Sequence, residues 1–354
     1  MARPQRSLSA ALVAVVALAG LLAAGKWLQP QLDQETPVAP PTRPPPATSP
    51  PVVAATNPPR SPGITKTADT VAQVDSIAVT PGSVWVAAGG LVLRVDPVTR
   101  RRVVVPDMET VEPPVVQVTA GAGAVWATTT AGRRLLRIDP RTARVSASLS
   151  APAQGVAADA GGVWVVCCWA GALRGQLTRI DPASGRVVQA IRLPGHPQAV
   201  GIGPSGVWVR GAEGSVWRVD PLSNRVVATI PLPSSNAGTG QPGGDIAVTE
   251  DAVWVSDPAS ATVWRIDPQH NQVDGTRWEA DGSDLAVAAD GVVWATSDTR
   301  LLGLGGSEVR GPRRNLHELD TDRITAVAAA RDGGLWLGTP QGLFHVDQSV
   351  LGEG

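Results

Sequence analysis

A short sequence pattern centred on a tryptophan recurs seven times along this chain of 354 residues. Most copies contain an apolar run of the type Gly-Val-Trp-Val, and successive tryptophans are separated by 38 to 46 residues. A repeat of this length and composition is typical of a propeller blade, which is a sheet of four antiparallel strands. The seven tryptophans are Trp85, Trp126, Trp164, Trp208, Trp254, Trp294 and Trp336.

The copy that spans residues 245–278 shows where the strands of one blade fall. Its first two strands are short runs rich in Val and Ile. Its third strand alternates between apolar and polar residues and ends at an Asp-Pro turn, and the pattern of its fourth strand is weaker. The second strand is apolar at successive positions, so both faces of the blade must be covered by neighbouring blades. The predicted strands are 245–249, 252–256, 262–266 and 272–278.

Seven such blades hide all of their apolar faces only when they close into a ring, because an open stack leaves two end sheets exposed to water. We therefore predict an all-β fold, a single seven-bladed β-propeller of four-stranded antiparallel blades over residues 64–350. The last copy has little room for an outer strand before the C terminus. A strand at 64–67, ahead of the first copy, is predicted to take that place and close the ring.

The sequence before the propeller predicts an N-terminal apolar helix. Two arginines precede an uncharged run at 8–25, which approaches the roughly 20 residues that a helix needs to cross a bilayer. We predict a signal-anchor over residues 1–28 with a cytoplasmic N terminus. The protein is then a single-pass protein of the cell membrane with an extracytoplasmic propeller, and the alternative is a cleaved signal peptide and secretion.

Residues 29–63 form a proline-rich linker. The stretch 30–63 contains 12 prolines, interspersed with Ala, Thr and Ser, and such a composition cannot build a packed core. We expect a disordered spacer between the membrane and the propeller. Residues 351–354 are a short tail.

Composition argues against nucleic acid as a partner. The net charge is −1, the chain has no Tyr and one Phe, and no lysine-rich tract occurs, whereas nucleic-acid binding requires an excess of basic residues. The two cysteines are adjacent in sequence, so they cannot form a disulfide framework that staples the fold. A monomeric propeller is expected.

An Arg-x-Asp-Pro motif ends the third strand of five copies. A motif present once per blade lies at blade spacing around the ring, so its carboxylates cannot converge on one metal ion. Turn chemistry explains it instead, because Asp accepts backbone N–H groups two residues on and Pro presets the turn. The repeated tryptophan is likewise predicted to be an apolar wedge between sheets. The five aspartates are Asp96, Asp139, Asp181, Asp220 and Asp267.

The repeats Gly-Val-Trp-Val and Arg-Ile-Asp-Pro-x-x-x-Arg-Val-Val, with the Leu-Pro linker at 193–200, resemble the YVTN/NHL class of propellers, and most closely its streptogramin lyase (virginiamycin B lyase) branch. The resemblance covers about 76–346 and implies the propeller fold. It also implies a lyase in which a histidine and a magnesium ion held by acidic residues open a cyclic peptide lactone by elimination. Many relatives of this branch are plain repeat domains.

The resemblance does not assign a catalytic residue of the family to any position of this chain. The family's paired His-x-Glu pattern is absent, since no histidine of this sequence is followed two places on by glutamate. The four histidines are His196, His270, His317 and His345.

Candidate binding residues follow from the places where propeller loops meet. Loops that lead from an outer strand to the next inner strand, and from the second strand to the third, share one face around the central channel, and function on common folds resides in such loops. The non-repeated residues predicted on this face are Gln117, Gln154, Gln198, Arg210, Glu213, Asp245, Asp257, Asp284, Asp298, Cys167, Cys168 and Trp169.

Several of these residues suggest specific chemistry. Asp245 and Asp284 come from neighbouring copies, and clustered carboxylates are what Ca²⁺ or Mg²⁺ requires. They are candidate metal ligands at the channel mouth, and the alternative is that they cap inner strands or are solvated. His196 lies in a loop that leads to the same face and is a candidate general base or a surface histidine. Apart from this metal and from the quinone considered below, no cofactor is predicted.

The pair Cys167-Cys168 has two interpretations. Exported cysteines tend to oxidise, and a bridge between adjacent residues would be strained, because their Cα atoms lie about 3.8 Å apart. Strained groups cluster at functional sites, and some quinoprotein dehydrogenase propellers have such a pair beside the cofactor. The alternative is two small apolar residues on opposite faces of a strand.

Three functional hypotheses result. The first is an extracytoplasmic, membrane-tethered module that binds a protein, peptide or carbohydrate through the loop face. The second is a metal-dependent lyase or hydrolase of the streptogramin-lyase type that acts at the channel mouth. The third is a propeller with a quinone cofactor.

Overall fold

The computed structural model describes most of the propeller region. The described residues are 63–70, 72–106, 108, 114–129, 134–151, 153–167, 175–233, 244–280, 284–305, 308–309, 314–315 and 323–351. Within these ranges no helix is both long and apolar enough to span a bilayer. The predicted anchor helix at 8–25 and the linker at 29–62 lie outside the described residues and stay predictions.

Each of the first three blades contains four consecutive strands that are hydrogen-bonded in chain order. Blade 1 contains β2 (Val74–Thr80), β3 (Ser83–Ala88), β4 (Leu91–Val95) and β5 (Arg102–Val104). Blade 2 contains β6 (Val115–Gly121), β7 (Ala124–Thr129), β8 (Leu135–Asp139) and β9 (Arg144–Leu149). Blade 3 contains β10 (Gly155–Asp159), β11 (Gly162–Cys167), β12 (Gln176–Ile180) and β13 (Val187–Arg192).

Blades 4 and 5 repeat this order, whereas the outer strand of blade 6 is interrupted and both of its pieces pair with the third strand. Blade 4 contains β14 (Pro197–Gly203), β15 (Gly206–Gly211), β16 (Ser215–Asp220) and β17 (Arg225–Pro231). Blade 5 contains β18 (Ile246–Val248), β19 (Val253–Asp257), β20 (Thr262–Asp267) and β21 (Gln272–Glu279). Blade 6 contains β22 (Leu285–Val287), β23 (Val293–Ser297), β24 (Arg300–Gly305), β25 (Glu308–Val309) and β26 (Arg314–Asn315). The four strands predicted in the copy at 245–278 are those of blade 5 and are confirmed.

Blade 7 takes its outer strand from the start of the propeller, as predicted. Strand β1 runs antiparallel to β29, and Ile64 pairs with Val346. The inner strands of successive blades contact one another around the molecule, and the inner strand of blade 7 contacts that of blade 1. The ring of seven blades is therefore closed. The last elements are β1 (Ile64–Ala68), β27 (Ala326–Ala329), β28 (Leu335–Thr339), β29 (Gly342–Val346) and the short helix α1 (Gln348–Leu351).

The hydrophobic core of the described residues consists of seven layers, each between two neighbouring blades. Each layer contains one of the seven repeated tryptophans. Between blades 4 and 5, for example, Trp208 is in the layer that also contains Val255 and Ile266 of the next blade. All seven tryptophans are buried. Their predicted role as wedges between sheets is confirmed.

An arginine stacks on the buried tryptophan in the first five blades. The arginine of the Arg-x-Asp-Pro motif lies opposite the tryptophan in the strand register, as Arg218 does opposite Trp208. The guanidinium carbon is 5.2 to 6.0 Å from the ring centroid, which is cation–π distance. Blade 7 has His345 at this place. The sequence pattern revealed the tryptophan but not this partner.

The aspartate of the same motif caps the turn between the third and fourth strands, as predicted. Asp220 accepts hydrogen bonds from the backbone N–H groups of Leu222 at 3.0 Å and Ser223 at 3.2 Å. Asp267 accepts one from Gln269 at 2.7 Å. The hydrogen bond from the Ser223 hydroxyl is the main cause that lowers the pKa of Asp220. These carboxylates thus accept hydrogen bonds within their own turns.

We expect Trp208→Ala to lower the free energy of unfolding by about 3–5 kcal/mol, because it leaves a cavity in the layer between two blades. Trp208 is 0% exposed, whereas Leu222 is 91% exposed in a turn. Leu222→Ala is the control and should change stability by less than about 0.5 kcal/mol. Denaturant unfolding of both variants checks this. Equal losses of stability would contradict the layered core.

Candidate functional site at the upper face

The strand order puts the connections of each blade on two faces. One face carries the loops that lead from the fourth strand of a blade to the first strand of the next blade, and the loops between the second and third strands of each blade. We call this the upper face. The lower face carries the turns between first and second strands and between third and fourth strands. In consecutive antiparallel strands these two sets of connections lie at opposite ends of the sheet. The predicted site residues that the structure describes belong to the connections of the upper face.

Arg210 is a buried cation at the upper end of β15, with 2% of its surface exposed. Its Nε donates to the carbonyl oxygen of Ser256 at 2.9 Å, and its Nη2 lies 3.3 Å from Oδ1 of Asp257. Its Nη1 donates to Oε1 of Gln198. A Cβ on Gly244, which has φ +90°, would come within 2.8 Å of the guanidinium carbon, so glycine is required there. The guanidinium thus joins blade 4 to blade 5.

The charge of Arg210 is balanced within the site. Burial lowers the pKa of Arg210, and the attraction of Asp257 and Asp245 opposes this shift. Asp257 is itself buried and also accepts a hydrogen bond from the hydroxyl of Ser260 at 2.7 Å. A buried ion pair with such partners fixes geometry, although its net stabilisation is small because both ions lose their hydration.

Asp245 and Asp284 form a hydrogen-bonded carboxyl pair between blades 5 and 6. Each also accepts a backbone N–H from the next inner strand, Asp245 from Leu285 at 3.2 Å and Asp284 from Val327 at 2.7 Å. Burial raises the pKa of both carboxyl groups, and the charge of Asp245 raises the pKa of Asp284 further. Two neighbouring carboxylates resist double ionisation, because each negative charge disfavours the other.

The same position links inner strands in other blades. The N–H of Val118 donates to Oγ of Ser76 at 3.2 Å, and the N–H of Val156 donates to Oε1 of Gln117 at 3.1 Å. The two aspartates therefore occupy a position that connects one blade to the next. This agrees with the interpretation that they cap inner strands.

The metal hypothesis has to account for these bonds. Within the described ranges no group of three or more His, Cys, Asp and Glu side chains comes together. An ion at Asp245 and Asp284 would need further oxygen ligands from elsewhere. The metal site stays a prediction.

His196 and Glu213 form an exposed pair on the upper face, beside the buried network. His196 Nδ1 contacts Oε1 of Glu213, and the backbone N–H of His196 lies 3.1 Å from both carboxylate oxygens. The two side chains are 45% and 37% exposed. A carboxylate that accepts from Nδ1–H leaves Nε2 as the acceptor nitrogen of the neutral ring. Sequence analysis singled out both His196 and Glu213 as candidate site residues, but nothing in the sequence indicated that they form a pair.

Two further predicted residues lie apart from this group. Gln154 is half-buried ahead of β10, and its backbone N–H donates to the carbonyl oxygen of Val166 at 2.8 Å. Asp298 is exposed in a left-handed turn with φ 49°. It lines a cavity of about 440 Å³ between blades 5 and 6, together with Glu279 and Arg300.

The cysteine pair is described only in part. Cys167 is buried at the end of β11 and is disulfide-bonded. Cys168 is the other cysteine of the chain. It lies outside the described residues, as does Trp169. The structure therefore supports the oxidised state of Cys167 over two reduced apolar side chains.

Fold and site together define the class: this protein is a seven-bladed β-propeller of four-stranded antiparallel blades with the buried network of Arg210 at its upper face. Its structure is similar to that of virginiamycin B lyase from Staphylococcus aureus, with a TM-score of 0.63 and 14% identity over 80% of this chain and 97% of that chain. A streptogramin B lyase structure has a TM-score of 0.61 and 13% identity over 80% of this chain and 97% of that chain.

A third solved structure contains a catalytically inactive variant of the S. aureus virginiamycin B lyase with quinupristin. Its TM-score is 0.64, with 14% identity over 80% of this chain and 98% of that chain. Identities this low establish a shared fold alone. No family model matches this chain, and no curated protein matches its sequence. The resemblance drawn from the repeats is therefore confirmed as a likeness of fold.

We expect the stability of the wild type relative to Asp284→Asn to fall as pH rises. The raised pKa of Asp284 means that its protonated form stabilises the fold. This contribution is fully present below the carboxyl's unfolded pKa of about 3.9 and is lost as pH rises through the folded pKa. Asparagine keeps both hydrogen bonds without a titrating proton, so the variant should be the more stable protein at alkaline pH.

Calorimetric Tm values of the full-length protein between acid and alkaline pH test this expectation. Asp290→Asn is the control, because Asp290 is exposed in a turn of the same blade. A difference in Tm between wild type and Asp284→Asn that stays constant with pH would contradict the raised pKa of Asp284.

Proposed function

We propose that this protein is an extracytoplasmic, membrane-tethered interaction module that binds a peptide segment or protein at the upper face. The observation that carries the proposal is the concentration of non-repeated polar groups in blades 4 to 6. There the exposed His196–Glu213 pair adjoins the rigid network of Arg210. Fixed donors and acceptors beside a channel mouth are what a specific binding site requires.

The described part of this surface suits a peptide or protein better than a carbohydrate. A sugar is usually held against an aromatic ring that covers its apolar face. All ten tryptophans in the described ranges, and Phe344, are buried. The imidazole and carboxylate of the exposed pair instead suit the N–H and C=O groups of a peptide backbone.

The membrane tether rests on the sequence. The apolar run at 8–25, with arginines before it, is long enough to hold the chain in a bilayer. The proline-rich linker that follows would keep the propeller clear of the membrane surface. The upper face would then be free to meet a ligand outside the cytoplasm.

Peptides selected from a displayed library on the full-length protein test the binding site. We expect them to lose about tenfold or more in affinity for the variant His196→Ala/Glu213→Ala, because truncation of central contacts typically costs more than 1 kcal/mol. His270→Ala is the matched control, since His270 contacts Asp267 at 2.6 Å on the lower face. Selected peptides that respond to the control but not to the double variant would contradict the proposal.

A second candidate function is a lyase, and the specific observation that favours it is the same His–Glu pair. A carboxylate that orients an imidazole prepares it as a general base. The related structures are named as virginiamycin B and streptogramin B lyases, and one is named with quinupristin. A divalent metal at Asp245 and Asp284 would belong to this function.

Quinupristin incubated with the full-length protein and Mg²⁺ tests the lyase. Elimination gives a ring-opened product of unchanged mass, whereas hydrolysis adds the mass of one water, and liquid chromatography with mass spectrometry separates these outcomes. Turnover should be lost in His196→Gln and kept in His270→Gln. Intact quinupristin after long incubation with metal would remove this candidate and leave the binding module.

A further inference from the structure

We propose that the lower face of blades 7, 1 and 2 is a docking site for an acidic, extended peptide segment of a partner protein. This site is separate from the upper face and does not depend on the function proposed for that face. Four features of the described residues support it: two adjoining cavities, a missing contact between blades, an arginine in a strained position and unpaired guanidinium groups.

Two cavities flank the turn between β2 and β3. One has a volume of about 390 Å³ and lies between blades 7 and 1, and the other has about 560 Å³ and lies between blades 1 and 2. Val79, Thr80 and Arg331 line both of them. We call the two cavities together the seam groove, because it follows the place where the ring closes.

At the first cavity, blade 7 does not make a contact that some other blades make to their neighbour. In blade 3, Nη1 of Arg179 donates to the carbonyl oxygen of Pro221 at 2.8 Å and thereby reaches a turn of blade 4. In blade 4, Nη1 of Arg218 reaches Pro268 of blade 5 in the same way at 2.6 Å. Blade 7 has the shorter His345 at this place.

His345 does not make the equivalent contact. Its Nε2 lies 3.1 Å from Asp332 and its Nδ1 3.3 Å from Asp347. Both partners belong to blade 7 and its C-terminal extension rather than to blade 1. His345 therefore lines the first cavity without making the contact that Arg179 and Arg218 make to the next blade.

Arg100 occupies a turn position at which blades 3 to 5 have glycine or asparagine. The fourth residue after each motif aspartate has a positive φ in all five turns. Glycine and asparagine adopt this conformation at low cost, whereas a long side chain is strained in it, and such strain is concentrated at functional sites. Arg100 nevertheless occupies it and lines the first cavity. The five residues are Arg100, Ala143, Gly185, Asn224 and Asn271.

The groove presents free positive charge. Arg100, Arg141 and Arg331 are exposed, and none has an ion-pair partner among the described residues. The carboxylate that lines the groove, Asp332, is already in contact with His345. The groove is thus locally basic although the whole chain has a net charge of −1.

Its remaining lining is aliphatic. Val79 lines both cavities, Val98 is 87% exposed at the first, and Pro81 and Pro140 line the second. Guanidinium groups bind carboxylates in a planar, two-bonded geometry, and valine and proline pack against aliphatic side chains. Alternation of acidic and aliphatic side chains is what an extended peptide presents along its two sides. A sulfated polysaccharide matches the charge but not the aliphatic lining.

Fluorescence anisotropy with the full-length protein tests the proposal. The probe is a labelled peptide in which Glu alternates with Val, and the same peptide with Lys for Glu is its control. We expect saturable binding of the acidic probe that weakens as salt is raised. Arg100→Asn/Arg331→Gln should weaken it about tenfold or more, whereas the matched charge control Arg225→Gln, on the outer strand of blade 4, should not.

The same experiment includes a control for correct folding of the variants. Arg100→Asn installs the residue that blades 4 and 5 have in this conformation, so its Tm should equal or exceed that of the wild type. Equal affinity of the double variant for the acidic probe, or equal binding of the lysine probe, would overturn the proposal. Binding of a heparin fragment that depends on the two arginines, without binding of the acidic peptide, would overturn it as well.

Discussion

Burial of two apolar faces per blade is the constraint on which the rest of this structure depends. Strand β15 illustrates it, since every one of its residues is buried. Each hydrophobic layer is shared by two blades, so no blade could keep its core if its neighbour were removed. Closure supplies the last shared layer, and the pairing of β1 with β29 places the first strand of the propeller in its last blade. The ring can then open only if a strand ladder between its two ends is broken.

Because repeated positions are used to build the ring, departures from the repeat identify the sites. The residue two places after each tryptophan is small or aliphatic except in blade 4, where it is Arg210. At the closing seam, His345 replaces the stacked arginine and Arg100 replaces a turn residue that is Gly or Asn in blades 3 to 5. His345 still packs on Trp336, with ring centroids 4.5 Å apart, whereas Arg100 brings a charge to the turn.

The fold was predictable from the sequence to a greater extent than the site was. The tryptophan period and the apolar second strands are local signals, so they predicted the blade number, the strand order and the closing strand. The contacts that build the site are not local. Asp245 and Asp284 were named as a pair of carboxylates, but their raised pKa values depend on how closely two blades approach each other. The pairing of His196 with Glu213 likewise depends on how two loops of the upper face meet, which no spacing in the sequence encodes.

The charged side chains of the two faces are held in different ways. On the upper face, Arg210 pairs with the buried Asp257, and burial raises the pKa of Asp245 and of Asp284. Charges held among buried groups interact more strongly than charges in water. On the lower face, the hydrogen bonds of their own turns lower the pKa of Asp96 and of Asp139, so these carboxylates stay ionised near the seam. What distinguishes the seam from the other turns is therefore the arginines that the repeat does not require, such as Arg100, and not a lack of acidic side chains.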